Sequence, residues 1–99
     1  MLLLLEHLTA AQRDQFAQRR FFDVTGGITG TRYRIRNTRP MNVEVIRDGH
    51  CVNRLCFEPE GHLVQGDMLL AQKLALELFE IETLARANHV PGPAITRAP

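Results

Sequence analysis

The chain is expected to be an α+β domain: an antiparallel three- to four-stranded meander packed against a long C-terminal helix, with a short N-terminal helix. Three observations carry that expectation. Between Phe21 and Phe57 apolar residues alternate in twos through the segments FFDVT, TRYRIRN, MNVEVIR and CVNRLCF, the rhythm of strands that bury one face. The segments are separated by GGITG, TRP and DGH, clusters of residues that favour turns. From about Met68 to Asn88 the apolar spacing changes to that of a helix.

The N-terminal helix is placed from about Ala10 to Arg20. Thr9 followed by Gln12 has the form of a capping box, in which each side chain satisfies a backbone donor of the other. The apolar face of this helix is thin, chiefly Phe16 with Ala10, Ala11 and Ala17. Leu2 to Leu5 and Leu8 are therefore expected to anchor it, on the domain's own core or on a second subunit.

In the meander, Asp48-Gly49 is the strongest hairpin signal in the chain. A three-residue loop there sets Val43 opposite Leu55 and Met41 opposite Phe57. Ile35 then meets Val43, and Tyr33 meets Val45. The expected core face is Phe22, Val24, Tyr33, Ile35, Met41, Val43, Val45, Leu55 and Phe57. Asp67 is suited to cap the long helix, which at ~1.5 Å per residue runs for ~30 Å. Along it, Ala71, Leu74, Leu78, Ile81 and Ala85 form one stripe, expected to cover the sheet. Leu69, Leu76 and Phe79 form a second stripe on another side, expected at a partner interface. The domain spans residues 1–90, and residues 91–99, part of the segment VPGPAITRAP, are expected to be an extended Pro-rich tail.

Ninety-nine residues suit a single core. Apolar residues at 44% and charged residues at 23% fit a globular domain. A net charge of +1 gives no global field toward nucleic acid or an acidic membrane, so such binding requires a local patch. The leucine-rich start has no basic flank and is interrupted by Glu6 and His7, which does not fit a secretory signal. With no apolar run of ~18 residues, no membrane partner is expected, and the chain is expected to be cytoplasmic with reduced thiols.

Eleven of the twelve basic residues are arginine, and Arg32, Arg34 and Arg36 alternate on one segment. On a strand they point one way at ~6.6 Å spacing, close to the repeat of phosphates. In the expected register Asp23, Arg34, Glu44 and Arg54 form a row of alternating sign, which leaves Arg32 and Arg36 without acidic partners. Arg32, Arg34, Arg36 and Arg54 are thus the candidate contacts for nucleic acid or another anion. The same face offers no aromatic ring for base stacking and holds two carboxylates.

His50, Cys51, Cys56 and His62 lie close in sequence. Cys51 and Cys56, five apart on one strand, are expected to face opposite sides, so they do not converge on a metal. Adjacent strand positions keep His50 from Cys51, and no nucleophile, base and orienting residue come together. GGITG lacks the lysine and following helix of a phosphate-binding loop. The order of elements is that of the double-stranded RNA-binding domain with one strand added, without the basic cluster that grips phosphate. Neither a catalytic set, a cofactor, a metal site nor a small-molecule substrate is therefore expected.

Taken in order, TGTRYRIR, MNVEV, LCFEPEG and GDMLLAQKLALE resemble a group of small uncharacterised bacterial or phage proteins. The likeness covers about Phe22 to Asn88 and implies one independently folding unit. It implies no reaction, ligand or active site. The expected function is that of a non-enzymatic interaction module that binds a partner protein or itself, with nucleic-acid binding through the arginine face as the alternative.

Overall fold

The computed structural model describes residues 1–58 and 63–91 of the chain. It is an α+β fold built on one open antiparallel sheet in the order β1-β2-β3-β4-β5. The strands are β1 (Phe21–Thr25), β2 (Arg32–Arg36), β3 (Val43–Arg47), β4 (His50–Cys56) and β5 (Asn88–Pro91). The helices are α1 (Leu2–His7), α2 (Ala10–Arg19), α3 (Gln65–Leu78) and α4 (Glu80–Arg86).

The meander has the expected register. Phe22 faces Ile35, Tyr33 faces Val45, Ile35 faces Val43, and Val43 faces Leu55. The β3–β4 turn nevertheless has two residues rather than three, because Arg47 pairs with His50. Asp48 and Gly49 both take positive φ, 53° and 80°, as a turn that matches strand twist requires. The register then shifts past Val45, where Asn53 pairs with Val45 but Cys51 pairs with Ile46. Val52 is the extra residue of a bulge. One residue fewer in the turn and one more in the strand cancel, which keeps Val43 opposite Leu55. Met41 and Phe57 lie outside the paired strands.

The N-terminal helix keeps its capping box: the Thr9 N–H donates to Gln12 Oε1 at 2.9 Å, and the Gln12 N–H donates to Thr9 Oγ1 at 3.1 Å. This helix also seals the edge of β1. Gln12 Nε2 donates to the Asp23 carbonyl at 2.9 Å, and the Asp23 N–H donates to Gln15 Oε1 at 2.8 Å. Phe16 packs edge-on against Phe22 with centroids 5.7 Å apart. The leucines before it form a separate helix, α1, which packs on α3 and buries Leu4 and Leu8.

Three expectations for the C-terminal part need correction. The long helix is two, broken at Phe79 (φ −136°, ψ 45°), and the first starts at Gln65 with Val64 as N-cap, so Asp67 lies in its first turn. The start of the expected tail pairs with β4 as a fifth strand through Pro91, and residues 92–99 lie outside the described residues.

The face that covers the sheet is also the other one. Leu69 and Leu76, expected at a partner interface, are fully buried core residues. Leu74, Leu78 and Ile81, expected to cover the sheet, are exposed, and so is Phe79. The reason lies in polar residues. The buried stripe runs through Leu69, Gln72, Lys73, Leu76, Glu80 and Thr83, four of which are polar and are assigned to water by a reading of apolar spacing. Each polar group is satisfied inside, as burial requires. Gln72 Nε2 donates to Asn42 Oδ1 and to the Phe57 carbonyl, while Asn42 Nδ2 donates back to Gln72 Oε1 at 2.8 Å. Lys73 pairs with Glu77 at 2.6 Å.

The choice of face gives a direct mutational contrast. Leu76→Ala is expected to cost about 2–5 kcal/mol through the cavity it leaves, whereas Leu78→Ala is expected to stay within about 0.5 kcal/mol. Denaturant midpoints of the two variants check the pair.

Candidate functional site

Two regions hold the charged and apolar groups that could meet a ligand. The first is the sheet face that carries the arginines. Its register sets Asp23 opposite Arg34, Arg34 opposite Glu44, and Glu44 opposite Arg54. Arg34 grips Asp23 with two bonds, Nε to Oδ1 at 2.8 Å and Nη2 to Oδ2 at 3.2 Å. Burial alone would raise the Asp23 carboxyl, but its bonds, led by that from Arg34, outweigh burial and hold it below the ordinary value.

Arg36, expected to be free, instead pairs diagonally with Glu44, Nε to Oε2 at 2.9 Å. A long side chain reaches the neighbour two positions along as readily as the one directly opposite. Arg54, opposite Glu44, is left without that carboxylate, and its buried Nε has no hydrogen-bond partner among the described residues. Arg32 is exposed and makes no ion pair among the described residues. An aromatic ring is also present on this face: the Arg34 and Arg36 guanidiniums lie 4.2 and 5.1 Å from the Phe21 ring centroid. Cation–π contact of this kind leaves the ring covered rather than offered to a base.

The bulge at Val52 changes the placement of the cysteines. Cys51 pairs with Ile46 and Cys56 with Asn88, so both share the arginine face rather than taking opposite sides. Burial pushes the Cys51 thiol up, which works against a reactive thiolate. Among the described residues no three metal-ligating side chains converge, and His62 lies outside them.

The second region is the end of the sheet where the β1–β2 loop meets the junction of α3 and α4. The break at Phe79 turns Glu80 inward, and its carboxylate is fully buried. Oε1 accepts from the Ile28 and Thr29 N–H groups at 2.8 Å each. Oε2 accepts from the Thr29 hydroxyl at 2.5 Å and the Tyr33 hydroxyl at 2.6 Å. Burial would raise this carboxyl, but the Thr29 and Tyr33 hydroxyls and the two N–H groups overcome it and hold it at about 2. Tyr33 is shifted upward, first by burial and then by the carboxylate it bonds.

The loop is tied down along its length. Gly27 N–H donates to the Leu76 carbonyl at the end of α3, Gly26 N–H to Thr31, and Gly30 N–H to Gly26. Gly26 and Gly27 are needed for close approach: a Cβ on Gly26 would overlap the Glu80 carboxylate, and one on Gly27 would overlap the Glu77 carbonyl. In this loop only Gly30 supplies positive φ, at 76°.

The loop and the helix junction that meet at the buried carboxylate carry exposed apolar side chains. Ile28, Leu78, Phe79 and Ile81 are 72%, 65%, 58% and 51% exposed. Phe79 and Ile81 flank Glu80 in sequence, and Ile28 bonds to it through its backbone. Phe79 is the one member of the expected interface stripe that stays at the surface. The loop could have been suspected from its sequence, where two glycines followed by Ile28 and Thr29 place backbone and hydroxyl donors together. The acceptor lies 51 residues from Thr29, and no local signal points to it.

No protein-family model matches the chain, and no curated protein or solved structure matches it. No helix among the described residues is long and apolar enough to cross a membrane.

Proposed function

We propose that the chain is a small non-enzymatic protein-interaction module whose docking surface is the apolar end formed by Ile28, Leu78, Phe79 and Ile81. The observation that carries this reading is their combined exposure on a loop and helix junction held by four hydrogen bonds to one buried carboxylate. Apolar side chains on a fixed backbone lose little freedom on binding, which favours affinity. Clustered large apolar groups are also what interface centres are made of. The carboxylate itself suits scaffolding better than proton transfer, because at about 2 it stays ionised at neutral pH and its lone pairs are engaged.

The arginine face supports nucleic-acid binding less well. Arg34 and Arg36 already have carboxylate partners, and Phe21, 9% exposed beneath them, presents no stacking surface.

Site-specific photo-crosslinking in the native host tests the reading. A photoreactive residue in place of Phe79 is expected to give discrete protein adducts, while the same residue in place of the exposed turn residue Asp48 gives none. Equal adducts at both positions, or none at Phe79, would remove the proposal.

A further inference from the structure

We propose that the concavity between the β1–β2 loop and the β3–β4 turn binds the phosphate group of a small molecule. It measures about 470 Å³, within the range of about 300–1,000 Å³ for small-molecule sites. It uses none of the apolar side chains of the docking end, and it stands or falls independently of the role proposed for them.

Strand register brings the ligand groups together. Arg32 lies opposite Thr25 on one side and Ile46 on the other, so the three side chains stand in one row on the arginine face. All three line the concavity, and Arg47, the last residue of β3, lines it from the turn. Ile46 is buried, which leaves the exposed Arg32, Arg47 and Thr25 to meet a ligand. Neither arginine makes an ion pair among the described residues. Two guanidiniums and a hydroxyl supply donors in the number and sign that a doubly charged tetrahedral oxyanion accepts. Charge-assisted bonds of this kind are the short, strong ones.

The walls are fixed before a ligand arrives. The Gly30 N–H donates to the Gly26 carbonyl at 3.1 Å, within the loop that Glu80 holds through Ile28 and Thr29. The opposite wall is the two-residue turn closed by the pairing of Arg47 with His50. A fixed frame lowers the ordering cost of binding. The face also favours one phosphate over a polymer of them. Further along β2, Arg34 is gripped by Asp23 and Arg36 pairs with Glu44, so a polynucleotide laid along the strand finds a carboxylate beside each arginine after Arg32. Asp48 lines the concavity too and opposes an anion there. The turn accounts for its presence: at φ 53° it fills the first positive-φ position of an Asp-Gly pair, which few residues tolerate. Two guanidiniums against one carboxylate leave the site positive.

The test titrates the isotope-labelled full chain at constant ionic strength and reads amide shifts at Arg32, Arg47 and Gly49. Inorganic phosphate is expected to saturate with Kd at or below ~5 mM. Acetate, with a single charge, is expected to bind at least ~10-fold more weakly. Arg32→Gln and Arg47→Gln are each expected to weaken phosphate binding about tenfold. Arg19→Gln removes the same charge from the last turn of α2, at the other end of β1, and is expected to change it by less than about twofold. Asp48→Asn keeps a residue suited to the turn and is expected to tighten binding about threefold. Circular dichroism verifies that each variant folds. Glycerol phosphate is expected to bind more tightly than inorganic phosphate, because the concavity has room for the organic part; equal affinity would assign the site to free phosphate instead. No saturation by ~20 mM phosphate, an equal loss in Arg19→Gln, no gain in Asp48→Asn, or acetate as tight as phosphate would each overturn the proposal. A single-stranded oligonucleotide that binds more than ~10-fold tighter than glycerol phosphate would overturn it in favour of nucleic acid.

Discussion

Glu80→Ala is expected to destabilise the domain by about 3–5 kcal/mol, because it orphans a buried phenol and removes charge-assisted bonds to the loop. A domain of this size has only about 5–15 kcal/mol in total, so this is among the most damaging single changes available. The four donors do not contribute equally. The Ile28 and Thr29 N–H groups lie on an exposed loop that water can reach, and the Thr29 hydroxyl can turn to Thr31, 2.7 Å away. The Tyr33 hydroxyl is buried and carries most of the penalty. Glu80→Gln keeps the shape and one acceptor, and it is expected to cost about 1–2 kcal/mol. Denaturant titration of both variants gives the two values.

The same carboxylate makes stability depend on pH in a defined sense. Its folded value of about 2 lies below the ordinary 4.5, so the ionised form is favoured by folding. Its contribution is fully present above about pH 4.5, shrinks as pH falls toward 2, and is gone below that. Asp23, also held low, adds to the acid loss in the same direction. Tyr33 acts at the other end: its folded value is raised above 10, so its contribution is intact below pH 10 and declines in stronger alkali. In Glu80→Gln the midpoint measured between pH 5 and pH 2 is expected to fall less steeply than in the wild type.

Gly27→Ala is expected to cost about 2–4 kcal/mol for a steric reason. The added Cβ would overlap the Glu77 carbonyl, and a helix backbone cannot rotate away as a side chain tip can. The loop must lift, which breaks the Gly27 bond to Leu76 and pulls Ile28 and Thr29 from Glu80. Gly30→Ala offers the control. Its Cβ meets nothing within 4 Å, so only the positive φ is penalised, at about 1 kcal/mol. A larger loss for Gly27 than for Gly30, measured by thermal or denaturant unfolding, separates close approach from backbone conformation.

The meander was legible because period-two alternation, turn residues and an Asp-Gly pair are local signals, and they fixed both register and the inward face from Phe22 to Leu55. The capping box at Thr9 and Gln12 was legible for the same reason. Strand β5 was not: Asn88 to Pro91 has no alternation and is exposed throughout, and its extended form is defined by pairing with β4. The inward face of α3 was misassigned because Gln72, Lys73 and Glu80 find their partners inside, through contacts distant in sequence for Gln72 and Glu80. The pairing of Arg36 with Glu44 was missed because a direct cross-strand rule omits the diagonal. The placement of Cys51 was missed because a bulge reverses side-chain direction without altering composition.

Amide hydrogen exchange at Ile28 and Thr29 tests most directly whether a buried carboxylate fixes the docking end. Both amides belong to exposed residues of a surface loop, so accessibility alone would leave them fast. Held by Glu80, they are expected to exchange at least ~100-fold more slowly than in an unstructured chain and to lose that protection in Glu80→Ala. Exchange at the unstructured rate in the wild-type protein would contradict the clamp and, with it, the fixed apolar surface.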